Sequence, residues 1–194
     1  MPVTRQLSLF GLESRPVSPL DLEGLLAGAG QVVRMGGTAR VSVVVDAAWR
    51  AEVIRDECAQ RGLPTTVEPS TVEGHLGVRT AYAAALAPLG TAWLRGAVKY
   101  PPAGFALDGR RLRLLVAAAG SPDGTQAFTV ALGTDEPVWK AVDRALVTVG
   151  LRGELLGPRA GGPAYRIVGR RRLRRLAEMV GEPPPQAPAG GWPV

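Results

Sequence analysis

The chain reads as an α+β protein built from two tandem αββαββα units, and three observations point there. Two blocks recur at one common offset. Asp46-Ala47-Ala48-Trp49-Arg50-Ala51 returns as Glu136-Pro137-Val138-Trp139-Lys140-Ala141, and the 22–30 stretch returns at 112–120. A shared offset over separate blocks marks duplication within one chain. Helix-period and strand-period segments also follow the same order in both halves. Finally, 194 residues with 46% apolar content can fill a core for two small units packed as one body.

Unit one opens at Ser18-Pro19-Leu20-Asp21, where Ser caps, Pro suits the first turn and the acid faces the positive helix end. This helix is expected to run to Ala29, with Gly30 ending it. The β-rich runs 31–35 and 39–45 flank Gly36-Gly37, a hairpin signal. Residues 47–61 have helical period, with Trp49, Val53, Ile54 and Cys58 on one side and Gly62 as the stop. Strands are expected at 65–68 and 75–80, then a helix over 82–98 interrupted by Pro88.

Unit two repeats the scheme with erosion. A helix is expected over 108–119, and Ser121-Pro122-Asp123-Gly124 replaces most of the first strand. A strand at 127–132, a helix at 136–149 and strands at 154–156 and 164–168 follow. A last helix over 170–180 puts Leu173, Leu176, Ala177 and Val180 on one face. The expected organisation is a flexible N-terminal tail at 1–17, unit one at 18–104, unit two at 105–182, and a disordered Pro/Gly-rich tail at 183–194.

Composition narrows the partners. No apolar run is long and unbroken enough for a bilayer, and no signal-peptide pattern is visible, so no membrane partner is expected. The single cysteine, Cys58, forms no internal disulfide and lies in a helical pattern, where packing explains it. The expected setting is the cytoplasm, in association with the nucleoid, as a monomer. Net charge is +6, carried almost wholly by arginine, with only Lys99 and Lys140 as lysines. Guanidinium forks bind phosphate and base edges bidentately, which favours nucleic acid, although a GC-rich coding bias would also replace Lys by Arg.

Residues 22–30 resemble the helix motif of the LAGLIDADG homing-endonuclease fold, at Leu22, Gly24, Leu25, Leu26 and Gly30. Unit two matches more weakly, at Leu112, Leu115, Val116 and Gly120, with Leu114 in place of the first Gly. The resemblance covers about 18–184 and implies two packed motif helices, pseudo-twofold symmetry, and a β saddle over double-stranded DNA. It also implies a packing reason for Gly24, Gly28 and Ala117. Cutting members of that fold carry an acid before the final Gly of each motif to hold metal ions. Here those positions are Ala29 and Ala119, and a methyl group offers no hard oxygen ligand. The resemblance is therefore to degenerate members, such as the N-terminal part of WhiA-type transcription regulators, with no cofactor, no metal and no catalytic residue expected. The alternative fold is a ferredoxin-like or other α+β duplication.

The peptide Gln6-Leu7-Ser8-Leu9-Phe10 resembles, at every position, the motif by which bacterial replication and repair proteins dock on the β sliding clamp, the DNA polymerase III β subunit. Leu9 and Phe10 would anchor in an apolar pocket, Leu7 adds contact, and the Gln6 amide sets register. The alternative is a tail that folds back and buries Leu7, Leu9 and Phe10 on its own core.

Period two assigns the DNA-facing side chains. Val41, Val43 and Val45 point inward, so Arg40 and Ser42 point out; Leu76 and Val78 point in, so His75 and Arg79 point out. In unit two, Phe128, Val130 and Leu132 point in and Thr129 out, with Arg166 between inward Tyr165 and Ile167. Arg34 is a further candidate on a strand of ambiguous phase. Arg170, Arg171, Arg172, Arg174 and Arg175 surround the apolar stripe of the last helix, where phosphate contact and a solvated face are both physically ordinary. Lone His75 supports neither a His-based metal site nor a triad.

The leading expectation is a non-catalytic DNA-binding accessory protein of replication or repair, recruited to the clamp by its tail. The alternatives are a transcriptional regulator using the same saddle, an enzyme with its acids at Asp108, Asp123, Asp135 or Glu136, and a clamp-binding interaction module without DNA, presenting Trp93 or Trp192.

Overall fold

A computed structural model describes residues 15–160 and 162–193. The pentapeptide at 6–10 lies outside the described residues. Ser18 starts the first helical segment as expected: its hydroxyl accepts from Leu20 N at 3.3 Å, and Asp21 returns a bond to Ser18 N at 3.0 Å. A 3-10 turn, Pro19–Leu22, leads into α1, Glu23–Ala27. The helix stops two residues before Ala29, because Gly28 N and Gly30 N both fold back onto the Leu25 carbonyl, at 3.1 and 2.9 Å. A Cβ on Gly30 would collide with that carbonyl, so the reversal requires glycine.

Two four-stranded antiparallel sheets follow, one per unit, with matching order. The first is β1 (Gln31–Met35), β2 (Thr38–Val45), β4 (Leu76–Thr80) and β3 (Thr65–Pro69), arranged β1-β2-β4-β3. The second is β7 (Gly120–Pro122), β8 (Ala127–Ala131), β10 (Ala164–Val168) and β9 (Glu154–Leu156), arranged β7-β8-β10-β9. Between the two sheets the chain forms a separate pair of short strands, β5 (Leu94–Arg95) and β6 (Val98–Lys99). Between the paired strands of each unit lie α2 (Ala48–Gln60) and α5 (Glu136–Thr148), and α4 (Gly109–Ala119) opens the second unit. Duplication read from two short blocks is thus a duplicated architecture.

Alternation behaves as the sequence leads one to expect. Val41, Val43, Val45 and Val78 in the first sheet, and Phe128, Val130, Tyr165 and Ile167 in the second, are buried in one continuous core. The helices α1 and α4 pack against each other across it. Gly24 faces the Arg111 backbone so closely that a Cβ would overlap the Arg111 carbonyl, and a Cβ on Gly28 would stand 3.1 Å from Leu115 Cδ1. Behind them a buried ionic chain joins the units. Arg61 holds Asp21 (Nη2–Oδ2 2.9 Å) and Glu57 (Nη1–Oε2 2.8 Å), and Glu57 takes Arg113 Nε at 2.7 Å. Cys58 is fully buried beside it, and burial pushes its thiol pKa up.

Two expectations fail. The helix expected over 82–98 is a 3-10 turn, Ala84–Leu86, and α3, Ala87–Trp93, followed by the small hairpin β5 (Leu94–Arg95) and β6 (Val98–Lys99). Pro88 sits in the first turn of α3, where its missing N–H costs nothing, so it begins the helix instead of interrupting it. Gly96, at φ +63°, then turns the hairpin back. The C-terminal tail expected to be disordered lies along the body through residue 193. Trp192 is only 3% exposed, donates to Gly181 O at 3.0 Å and lies 5.1 Å beneath the Arg113 guanidinium. Gln186 reaches Asp56 at 2.8 Å. A tryptophan's apolar area outweighs the Pro/Gly bias around it.

The last helix, α6, spans Arg170–Val180 and buries Leu176, Met179 and Val180. Among the described residues no helix is long and apolar enough to cross a membrane.

Candidate nucleic-acid interface

The ends of α1 and α4 carry the methyl groups of Ala29 and Ala119, and protein cations sit against both. Lys99, returned by the β5–β6 hairpin, is 1% exposed. Its Nζ donates to Gly28 O at 2.9 Å and Gly30 O at 2.8 Å and pairs with Asp135 Oδ2 at 3.1 Å. Burial lowers the Lys99 pKa from its usual value, and Asp135 opposes the shift without cancelling it. At the end of α4 the buried Arg50 donates to Ala117 O at 2.9 Å and Gly120 O at 2.7 Å, while its Nε pairs with Asp46 at 2.8 Å.

The two arrangements are analogous but use different positions of the repeat: Arg50 lies in α2, whereas Lys99 lies in β6. Asp46 and Asp135 stand just ahead of α2 and α5, and each serves the end of the other unit's motif helix. A helix C-terminus concentrates unsatisfied carbonyls and negative potential, which a buried cation satisfies. Nothing in the local sequence marks Lys99 or Arg50 for this. Among the described residues no group of three or more His, Cys, Asp or Glu side chains gathers as a metal site. Three of the acids considered for another enzyme site are engaged: Asp108 caps α4 through Arg111 N at 3.0 Å and pairs with Arg15, Asp123 holds Arg166, and Asp135 holds Lys99, while Glu136 stands exposed in the first turn of α5. Burial alone would raise the Asp108 pKa, but Arg15 and the Arg111 amide together hold it low. Trp93 is fully buried and Trp192 nearly so, so neither presents a surface for a partner.

On the outer face of the first sheet, Ser42 lies opposite Arg79. Arg40 stacks on Tyr82 with 4.8 Å from guanidinium carbon to ring centre. Arg79 approaches Glu68 at 3.9 Å, and His75 Nδ1 lies 2.9 Å from the Glu73 carbonyl. Arg34 is a correction. It pairs in register with inward Ala39, and its Cγ would stand 2.5 Å from a Cβ on Gly90, so its stem covers α3 on the helix side of the sheet. In the second sheet Thr129 and Arg166 are opposite neighbours, but Thr129 Oγ1 donates to Ser121 O at 3.2 Å and Arg166 pairs with Asp123 at 2.6 Å and faces Glu154. In the first sheet Val33 and Met35 on β1 and Val44 on β2 also stand exposed. The outer strand face is thus mixed in charge and partly apolar.

The arginines of α6 are divided by the tertiary structure. Arg170, Arg171, Arg172 and Arg175 line a groove of about 920 Å3 together with Arg152 from the α5–β9 connection, and among the described residues no acid lines it. Arg172 donates to Val168 O at 2.9 Å and Arg175 to Val149 O at 3.4 Å. Arg174 points elsewhere, 3.9 Å from Glu178. Sequence reasoning missed Arg152, which stands alone in a Gly-rich connection.

No protein-family model matches the chain, and no curated protein matches it. Solved structures do. The chain superposes on the homing endonuclease I-WcaI bound to its DNA recognition sequence with TM-score 0.60 at 12% identity, over 93% of this chain and 88% of that one. The N-terminal LAGLIDADG domain of DUF199/WhiA gives 0.60 at 12% identity, over 87% of each chain. Full-length DUF199/WhiA from Thermatoga maritima gives 0.61 at 10% identity, over 86% of this chain but 55% of that protein. The fold is the duplicated LAGLIDADG fold.

Proposed function

We propose that the chain is a non-catalytic, double-stranded DNA-binding protein, a cytoplasmic, nucleoid-associated monomer that keeps the LAGLIDADG scaffold without its cutting centre. One observation carries the reading. Where the cutting members resembled would place metal-binding acids, this chain has Ala29 and Ala119, with buried Lys99 and Arg50 capping the two helix ends. A cation held against those carbonyls would repel magnesium, while the sheets that would cradle DNA remain. Arg40, Ser42, His75 and Arg79 in the first sheet, and Thr129 and Arg166 in the second, are the contacts proposed on the outer face.

The likeness to the WhiA domain favours a regulator that reads sequence on this face. A second reading rests on the peptide Gln6-Leu7-Ser8-Leu9-Phe10, which would recruit the protein to the β sliding clamp in replication or repair. A tail tethered to a DNA-binding body would combine two modest affinities through effective concentration.

Fluorescence anisotropy with labelled duplexes tests the DNA reading, together with a magnesium-dependent plasmid assay. Expected are duplex binding weakened by Arg40→Gln/Arg79→Gln and no cutting; absence of duplex binding, or metal-dependent cleavage, would overturn it. A large ratio of specific to non-specific affinity would favour the regulator. Gel filtration with purified clamp tests the second reading, which fails if Leu9→Ala/Phe10→Ala leaves complex formation unchanged.

A further inference from the structure

We infer that the arginine groove beside α6 is a seat for the phosphodiester backbone of a duplex, and that it supplies most of the salt-dependent part of DNA affinity. The inference rests on the DNA-binding reading and deepens it by naming where the phosphates are held. Its basis is a contrast in charge between two neighbouring surfaces. On the outer strand face, Arg166 is neutralised by Asp123 at 2.6 Å and lies opposite Glu154, and Arg79 has Glu68 at 3.9 Å. In the groove, Arg152, Arg170, Arg171 and Arg172 converge, and among the described residues no acid is in the lining.

The groove is also continuous with the strand face. Val168, the last residue of β10, forms one of its walls and projects on the same side of the sheet as Arg166, two residues before it. A duplex lying on the outer strands would therefore run off the end of β10 into the groove. Two of the arginines are already oriented: Arg172 by the Val168 carbonyl and Arg175 by the Val149 carbonyl. Less side-chain freedom is then lost when a phosphate binds, and planar guanidinium forks match phosphate oxygens bidentately. Double-stranded DNA is the occupant by charge complementarity: a run of phosphates matches a run of arginines, and the flanking strand face offers the duplex its bed.

The number of phosphates neutralised can be read from salt dependence, because each contributes roughly 0.9 to the slope of log affinity against log salt. The variant Arg152→Gln/Arg170→Gln/Arg171→Gln removes three exposed cations and should leave the thermal midpoint unchanged, confirmed by circular dichroism. Anisotropy titrations between about 50 and 200 mM salt should show its slope reduced by about 2 to 3 and its low-salt affinity down at least about tenfold. Arg174→Gln, on the side facing Glu178, should match the unmodified protein, and Arg166→Gln should change the slope by less than about 1. If the protein binds duplex and the triple variant keeps the original slope, the groove proposal is overturned while the DNA reading stands. If the unmodified protein binds no duplex, both fall.

Discussion

Lys99 Nζ lies 3.1 Å from Asp135 Oδ2, and the two come from different units to meet at the end of α1. The same ammonium takes the carbonyls of Gly28 and Gly30, so one buried side chain ends a helix, closes a hairpin and joins the halves. Arg50 with Asp46 does the corresponding work at the end of α4, though there the acid is mostly exposed.

Removing only one partner of the Lys99 pair should be costly. Lys99→Met leaves a partly buried carboxylate, still bonded to Gln31, and two carbonyls without their ammonium donor, and should lower unfolding free energy by about 2 to 3 kcal/mol in urea titrations. Adding Asp135→Asn should recover part of the loss. Asp46→Asn, at a carboxylate 61% exposed, should cost less than about 1 kcal/mol.

The pH dependence has a definite sign. Burial holds the folded-state pKa of Lys99 below the ordinary lysine value of 10.5, so between the two the unfolded chain binds more protons and stability rises with pH. Urea midpoints taken as pH climbs toward 10.5 should therefore rise in the unmodified protein relative to Lys99→Met. Tyr165 acts oppositely: burial pushes its hydroxyl up to about 12 from 10.0, so stability falls as pH rises from 10 toward 12. Tyr165→Phe should flatten that decline.

The contact between motif helices admits no extra carbon at Gly24. Gly24→Ala would drive a methyl into the Arg111 backbone, which cannot yield without moving α4. A loss of about 1 to 3 kcal/mol is expected by thermal unfolding, since overpacking against backbone is poorly relieved. Gly36→Ala, in open space at φ +58°, should show only the smaller cost of a left-handed conformation.

Trp192 should behave as a core residue despite its place near the end of the chain. Trp192→Ala removes the ring beneath Arg113 and the bond to Gly181 O, and should cost about 3 kcal/mol or more in chemical denaturation. Equal stability of the variant would mean that the tail adds no packing.

Much of this protein is decided by neighbours along the chain. The Ser18–Asp21 box, the hairpin at Gly36 and the inward valines of β2 follow from capping, φ > 0 and period two, which act over a few residues. The repeated blocks announced the duplication that the matching strand orders of the two sheets display. Tertiary structure alone decided which charges are buried and which arginines work together. Lys99, Arg50 and Arg61 are ordinary surface residues by type, and each is buried only because distant carbonyls and carboxylates converge on it. Arg152 joins the α6 arginines, Arg174 leaves them, Arg34 turns inward and Trp192 enters the core for the same reason. The cost of burying a charge, or the gain from burying a ring, depends on partners that folding brings together from remote parts of the chain.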